Sequence, residues 1–130
     1  MKRALALLVT TVFTASTTLS ASVVAEEQAM MVAAGEQIFE KCTACHSKDS
    51  SKNAFGPSLI GVVGRKAGSM PRYAYSDALK QSNIVWTEAN LRKWVAGNDL
   101  YVPGTRMRHV EIKDKAEQDY LIAFLGSLGQ

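Results

Sequence analysis

The sequence predicts a single all-α domain built from short helices joined by long loops. Three observations lead there. No stretch alternates apolar and polar residues for more than a few positions, so strand signals are poor. Four segments carry helix periodicity or caps. The joining stretches are rich in Gly and Pro: Phe55-Gly56-Pro57, Gly61, Gly64, Gly68, Met70-Pro71 and Pro103-Gly104. A chain of 130 residues suits one domain better than two.

The first element stands apart. Lys2 and Arg3 precede an uncharged run from Ala4 to Ala25, which opens Ala-Leu-Ala-Leu-Leu-Val and then turns to Thr, Ser and Ala. This reads as a secretory signal peptide over residues 1–25, cut after Ala25, with Val23 and Ala25 as the small residues before the cut. The run spans 22 residues, so its length would also suit an uncleaved membrane anchor. Its Thr and Ser content favours cleavage. Residues 26–130 then form the mature domain, exported and, for a bacterium, periplasmic, with no membrane span left.

Along that domain, Ala33 to Lys41 predicts a short helix running into Cys42. Ser76 to Lys80 predicts a capped helical turn. Thr87 is an N-cap candidate for a helix through Ala96 that stops at Gly97. Asp114-Lys115-Ala116-Glu117 resembles a capping box, and a helix follows to Leu125, ending at Gly126, with Ala116, Tyr120, Ala123 and Phe124 on one face. Four short helices give about 105 residues a thin core. Loops this long need a reason; a large planar apolar cofactor for them to wrap would supply one.

Charge is uneven. Between Lys41 and Lys113 there are 12 Lys/Arg against 5 Asp/Glu, whereas both flanks are acidic. That pattern predicts one basic face, including Lys41, Arg92, Lys93, Arg106, Arg108 and Lys113. Without Lys2 and Arg3, 13 Lys/Arg nearly balance 12 Asp/Glu. A nearly neutral exported domain argues against nucleic-acid binding.

The chemistry lies in Cys42-Thr43-Ala44-Cys45-His46, a C-x-x-C-H run, the signature of covalent c-type haem attachment. On a helical turn, two sulfurs three residues apart reach the two vinyl groups of a porphyrin as thioethers. His46 is then held under the ring with an imidazole nitrogen toward iron. Other readings of the pair are weaker. A redox C-x-x-C would follow a strand of a βαβ unit, and none is predicted. A zinc site needs four ligands, and beyond these three only His109 remains. A disulfide across so short a loop would be strained. For the sixth iron position the best candidate is Met107, after the tight Pro103-Gly104 turn, because a thioether favours Fe(II). Met70 and His109 are rivals.

These stretches resemble the class I cytochromes c of bacteria and mitochondria. The resemblance runs from Gly35 to Leu125 and is carried by Gly35–His46, Gly56–Lys66, Tyr73–Leu79, Val85-Trp86, Tyr101–Met107 and Asp119–Leu125. It implies one haem c per chain on Cys42 and Cys45, His46 as proximal and Met107 as distal ligand, and Pro57 accepting the other ring N–H of His46. It implies that Arg65, Tyr75, Trp86 and Thr105 hold the haem propionates, and that Gly35 lets the first helix cross Phe124 closely. Two positions depart from the family pattern. Trp94 stands where a tyrosine is usual, and His109 where an aromatic shields the haem edge; the histidine implies a wetter edge and a lower potential.

The implied function is one-electron transfer by a monomeric carrier, not catalysis. Implied partners are redox proteins docking at the basic haem-edge face: a cytochrome bc-type complex, an oxidase, a photosynthetic reaction centre or a periplasmic dehydrogenase. The alternatives are a cytochrome subunit of a larger dehydrogenase or oxidase complex, and a haem peroxidase or gas-binding cytochrome with an open iron site.

Overall fold

The computed structural model describes residues 16–47 and 52–129, with backbone alone for 16–20. Among the described residues four helices appear: α1 Ser16–Phe39, α2 Asp77–Gln81, α3 Glu88–Tyr101 and α4 Lys115–Ser127, with a 3₁₀ turn at Glu40–Cys42 extending α1. The described residues hold no strand, and their β pairing is limited to an isolated antiparallel bridge between Lys66 and Val85. The all-α expectation is met.

Local chemistry sets the helix starts. The Ser76 hydroxyl accepts the Leu79 N–H at 3.2 Å, the Thr87 hydroxyl accepts the Asn90 N–H at 3.2 Å, and Asp114 Oδ1 accepts the Glu117 N–H at 2.9 Å. Each satisfies a donor that the first helical turn leaves orphaned.

The expected stop at Gly97 is an interruption rather than an end. Gly97 has φ 174° and ψ 84°, and the helix resumes for one turn to Tyr101. The break frees the Val95 carbonyl, which accepts the Ile112 N–H at 2.8 Å and so fastens the segment before α4 to α3.

The frame is the crossing of α1 and α4, the most extensive packing between helices. Phe39, wholly buried, meets Phe124 at 5.1 Å between ring centroids. A Cβ at Gly35 would stand 1.9 Å from the Tyr120 carbonyl oxygen, so only glycine permits this approach. Leu91, Trp94, Val95, Val102, Ile112, Leu121, Ile122 and Leu125 continue the core.

Of the face expected on α4, Phe124 alone is buried; Ala116 and Tyr120 are exposed and Ala123 is half-buried. The buried residues are Gln118, Leu121, Ile122, Phe124 and Leu125. The reason is that α4 packs against α3 as well as α1, so its buried surface is wider than one stripe.

The boundary expected after Ala25 falls inside α1, where Ala21–Met30 are all exposed. The rest of the expected leader, residues 1–15, lies outside the described residues. No helix among the described residues is long and apolar enough to cross a membrane.

Candidate functional site

The end of α1 builds one wall. The His46 N–H and the Cys45 N–H both reach the Cys42 carbonyl, at 2.9 and 3.1 Å, so Cys42–His46 is a wound turn with both sulfurs on it. Cys42 and Cys45 are unbridged and half-buried. Burial pushes the Cys42 thiol up, and the neighbouring Lys41 charge opposes it. Among the described residues no group of three His, Cys, Asp or Glu side chains is placed to hold a metal ion.

His46 is 6% exposed, and its Nδ1 lies 2.8 Å from the Pro57 carbonyl oxygen. A carbonyl only accepts, so Nδ1 carries the proton and Nε2 keeps the lone pair a metal would take. Burial holds the imidazole below its usual pKa; the Pro57 bond opposes this, and charge on His109 adds to it. Gly56 makes room for the ring. Its N–H donates to the Cys45 carbonyl at 2.6 Å, and a Cβ there would sit 2.7 Å from His46 Cε1.

The segment from Pro103 to Asp114, which carries Met107, has no helix or strand. It turns at Gly104, whose φ of +89° suits glycine. Met107 is half-buried against the core. Its backbone is tethered: buried Asn98 Nδ2 donates to the Met107 carbonyl at 2.8 Å, and an Arg108 guanidinium N–H donates to the Thr105 and Met107 carbonyls at 2.8 and 2.9 Å. Of the rivals, Met70 is engaged, its sulfur 3.7 Å from an Arg65 N–H donor. His109 Nδ1 donates to the Val110 carbonyl at 2.8 Å.

The four residues expected around the propionates fall in two groups. Arg65, Tyr75 and Trp86 converge. The Arg65 guanidinium donates to the Ser58 and Ile60 carbonyls, both at 2.8 Å, and the backbone N–H of Trp86 donates to the backbone carbonyl of Arg65 at 2.8 Å. Burial pushes the Tyr75 hydroxyl up, and the Arg65 charge opposes it, which puts the two side chains in electrostatic reach. Thr105, 3% exposed, sits on the Met107 segment, and no hydrogen bond links it to the other three. Trp94 packs edge-on against Trp86, with centroids 5.0 Å apart.

Sequence reasoning missed Asn98 and Asn53. Asn53 Oδ1 accepts the Ser58 N–H at 3.0 Å, and its Nδ2 donates to the Pro71 and Arg72 carbonyls, so it ties the Pro57 loop to the loop before Tyr73. Neither asparagine lies in a motif, and each acts across a loop, so no local signal marks them.

The expected basic face is partly neutralised. Lys41 pairs with Glu117, Lys113 with Glu111, and Arg92 with Glu88 and Asp119. Lys93 lies over the Tyr101 ring at 5.7 Å, Arg106 donates to the Ala74 carbonyl, and Arg108 is held by carbonyls. None of these last three forms an ion pair among the described residues, although Arg106 stands within electrostatic reach of Asp77.

Comparison with known proteins gives one answer. The family model described as cytochrome c matches residues 32–129. A cytochrome c2 from Blastochloris viridis is 41% identical over 106 residues, covering 81% of this chain and 84% of that one. A cytochrome c-550 from Nitrobacter winogradskyi is 44% identical, covering 72% of this chain and 87% of its own length. Among solved structures, cytochrome cH from Methylobacterium extorquens superposes with a TM-score of 0.69 at 47% identity, covering 72% of this chain and 95% of that one.

Proposed function

The chain belongs to the cytochrome c family, and from that premise we propose that it is an exported one-electron carrier whose haem iron is held by His46 and Met107. Covalent haem c is the family's cofactor, and the electron-carrier class, not an enzyme, is the coarse function. The residues present fit the group: two unbridged thiols and an oriented imidazole share one turn, and Gly56 leaves the ring the space a side chain would take. When bound, haem supplies a one-electron couple in an apolar plane.

The observation that carries the reading is the 2.8 Å bond from His46 Nδ1–H to the Pro57 carbonyl, on the same turn as Cys42 and Cys45. It fixes the tautomer and ring plane and raises the basicity of Nε2. Covalent attachment makes cofactor binding intramolecular, so a dilute compartment does not strip it. Asn98 holds the Met107 backbone, and Arg65, Tyr75, Trp86 and Thr105 offer donors to propionates that burial would otherwise penalise. Lys93, Arg106 and Arg108 are the charges best placed to steer an acidic redox partner; a cytochrome bc-type complex, an oxidase, a reaction centre and a periplasmic dehydrogenase all fit that description.

Two measurements test this. The purified ferric protein shows a far-red methionine-to-iron charge-transfer band and retains its haem after denaturation. Haem that extracts freely, or a band that survives Met107→Ala, refutes the assignment. Export removes residues 1–25, and Ala21–Ala25, the removed residues whose side chains are described, are exposed. The mature N-terminus read by mass spectrometry is therefore Glu26; a chain retaining Lys2 and Arg3 refutes cleavage.

A further inference from the structure

Among the described residues, the buried side-chain nitrogen or oxygen left without a hydrogen-bond partner is His109 Nε2. Buried polar atoms nearly always find partners, and exceptions call for a functional account. The other ring nitrogen explains its state. His109 Nδ1 lies 2.8 Å from the Val110 carbonyl oxygen, which only accepts, so Nδ1 holds the proton and Nε2 holds a lone pair. His46 is arranged in the same way, its Nδ1 2.8 Å from the Pro57 carbonyl. The chain's two histidines thus present the same tautomer, the one suited to metal binding through Nε2.

Position supports the comparison. His109 lies two residues beyond Met107 on the segment without helix or strand. Charge on His109 disfavours charge on His46, which places the two imidazoles within electrostatic reach of each other. The ties on this segment reach the backbone of Thr105 and Met107, from Asn98 and Arg108, and leave the His109 ring free of side-chain partners.

We propose that His109 is a second donor for the distal iron position, with Nε2 binding whenever the Met107 thioether leaves. This rests on the His46/Met107 reading. In the exchange an iron–sulfur bond breaks and an iron–nitrogen bond forms. No electron moves, and with the ring as the neutral Nδ1–H tautomer no proton is released. Oxidation favours the exchange, since the harder Fe(III) prefers imidazole nitrogen to thioether sulfur, while Fe(II) prefers the thioether. The ligand set is then coupled to the oxidation state.

The test uses the full haem-loaded chain in the ferric state, by low-temperature electron paramagnetic resonance and far-red absorption. Met107→Ala is expected to lose the far-red band yet remain low-spin, with the signature of two imidazole ligands. Met107→Ala/His109→Phe is expected to become high-spin. A single variant that is already high-spin overturns the proposal, and so does a double variant whose low-spin signal matches the single one. An unchanged far-red band in Met107→Ala would instead show that Met107 is not the ligand, and the proposal would fall with that assignment.

Discussion

Replacing Gly35 with alanine strikes the contact on which the fold turns. The added Cβ would sit 1.9 Å from the Tyr120 carbonyl oxygen, 2.6 Å from its carbon and 2.7 Å from Phe124 Cβ. Two of the three obstacles are backbone atoms of α4, so no rotamer relieves the clash. Restoring an ordinary contact requires the helices to part by about 1.5 Å at this point. Overpacking of this kind costs about 1–3 kcal/mol, and the upper end applies against backbone. Parting also loosens the Phe39–Phe124 ring contact, worth about 0.5–1.5 kcal/mol. The better helix propensity of alanine returns about 1 kcal/mol. The net loss is about 2–3 kcal/mol, or about 10–20 °C in the melting midpoint of a domain this size. Guanidinium titration of the haem-loaded protein should show a lower midpoint at unchanged slope. Gly126→Ala is the control: its Cβ would meet only Val63 Cγ2, at 4.0 Å, so the propensity gain should raise the midpoint. A Gly35→Ala protein within about 0.5 kcal/mol of the parent, the usual scatter of a neutral surface change, would refute the reasoning.

Four further outcomes are expected. Gly56→Ala drives a Cβ against His46 Cε1 and Nδ1 and should weaken the Pro57 bond, seen as a shifted proximal-histidine resonance and a changed midpoint potential; an unaltered resonance contradicts it. Asn98→Ala leaves the Met107 carbonyl without its buried donor, at a cost of about 1–3 kcal/mol, and should weaken the ferric far-red band; an undiminished band contradicts it. Lys115 and Arg92 hold the Asp119 carboxyl below its usual range, so its contribution is present above the unfolded carboxylate pKa and is lost as pH falls through the depressed folded one. Asp119→Asn should therefore melt lower than the parent at neutral pH, with the gap closing in acid; a gap that is constant with pH contradicts it. Exchange of Lys93, Arg106 and Arg108 for glutamine should slow electron transfer to an acidic partner most at low salt, where the screening length well exceeds its value of about 10 Å at 0.1 M; a loss independent of salt contradicts steering.

What could be read from the chain alone follows the range of the interaction. The caps at Ser76, Thr87 and Asp114 each join a side chain to an N–H three residues on, so the local sequence carries the whole bond. The attachment motif is equally local. Arg92 is the opposite case. It counted toward a basic face, yet its partner Asp119 lies 27 residues away on α4, and only the packing of α3 on α4 brings them to 2.8 Å. The buried face of α4 was missed for the same reason: a helix with one neighbour buries a stripe, and periodicity cannot count neighbours. Arg65 joins the two kinds. The family resemblance implies that it is a propionate donor, but nothing local shows that its guanidinium braces the Ser58 and Ile60 carbonyls.

The two sides of the site differ in how firmly they are built, and that difference decides where function is vulnerable. His46 stands on a wound turn, fixed by backbone bonds to Cys42, wedged by Gly56 and aimed by Pro57. No slide of one or two residues is open to it. Met107 stands on a segment without helix or strand, its backbone tied by Asn98 and Arg108 and its side chain half-buried against the core. Outer-sphere transfer is fastest when little moves between oxidation states, so the carrier depends on this softer side staying still. His109 sits within two residues of Met107 with Nε2 unpartnered, and on the proposed exchange a small slip there would change the ligand rather than merely lose it. Under the proposed ligation, Asn98, which no motif singles out, is the side chain on whose bond to the Met107 carbonyl constant ligation depends.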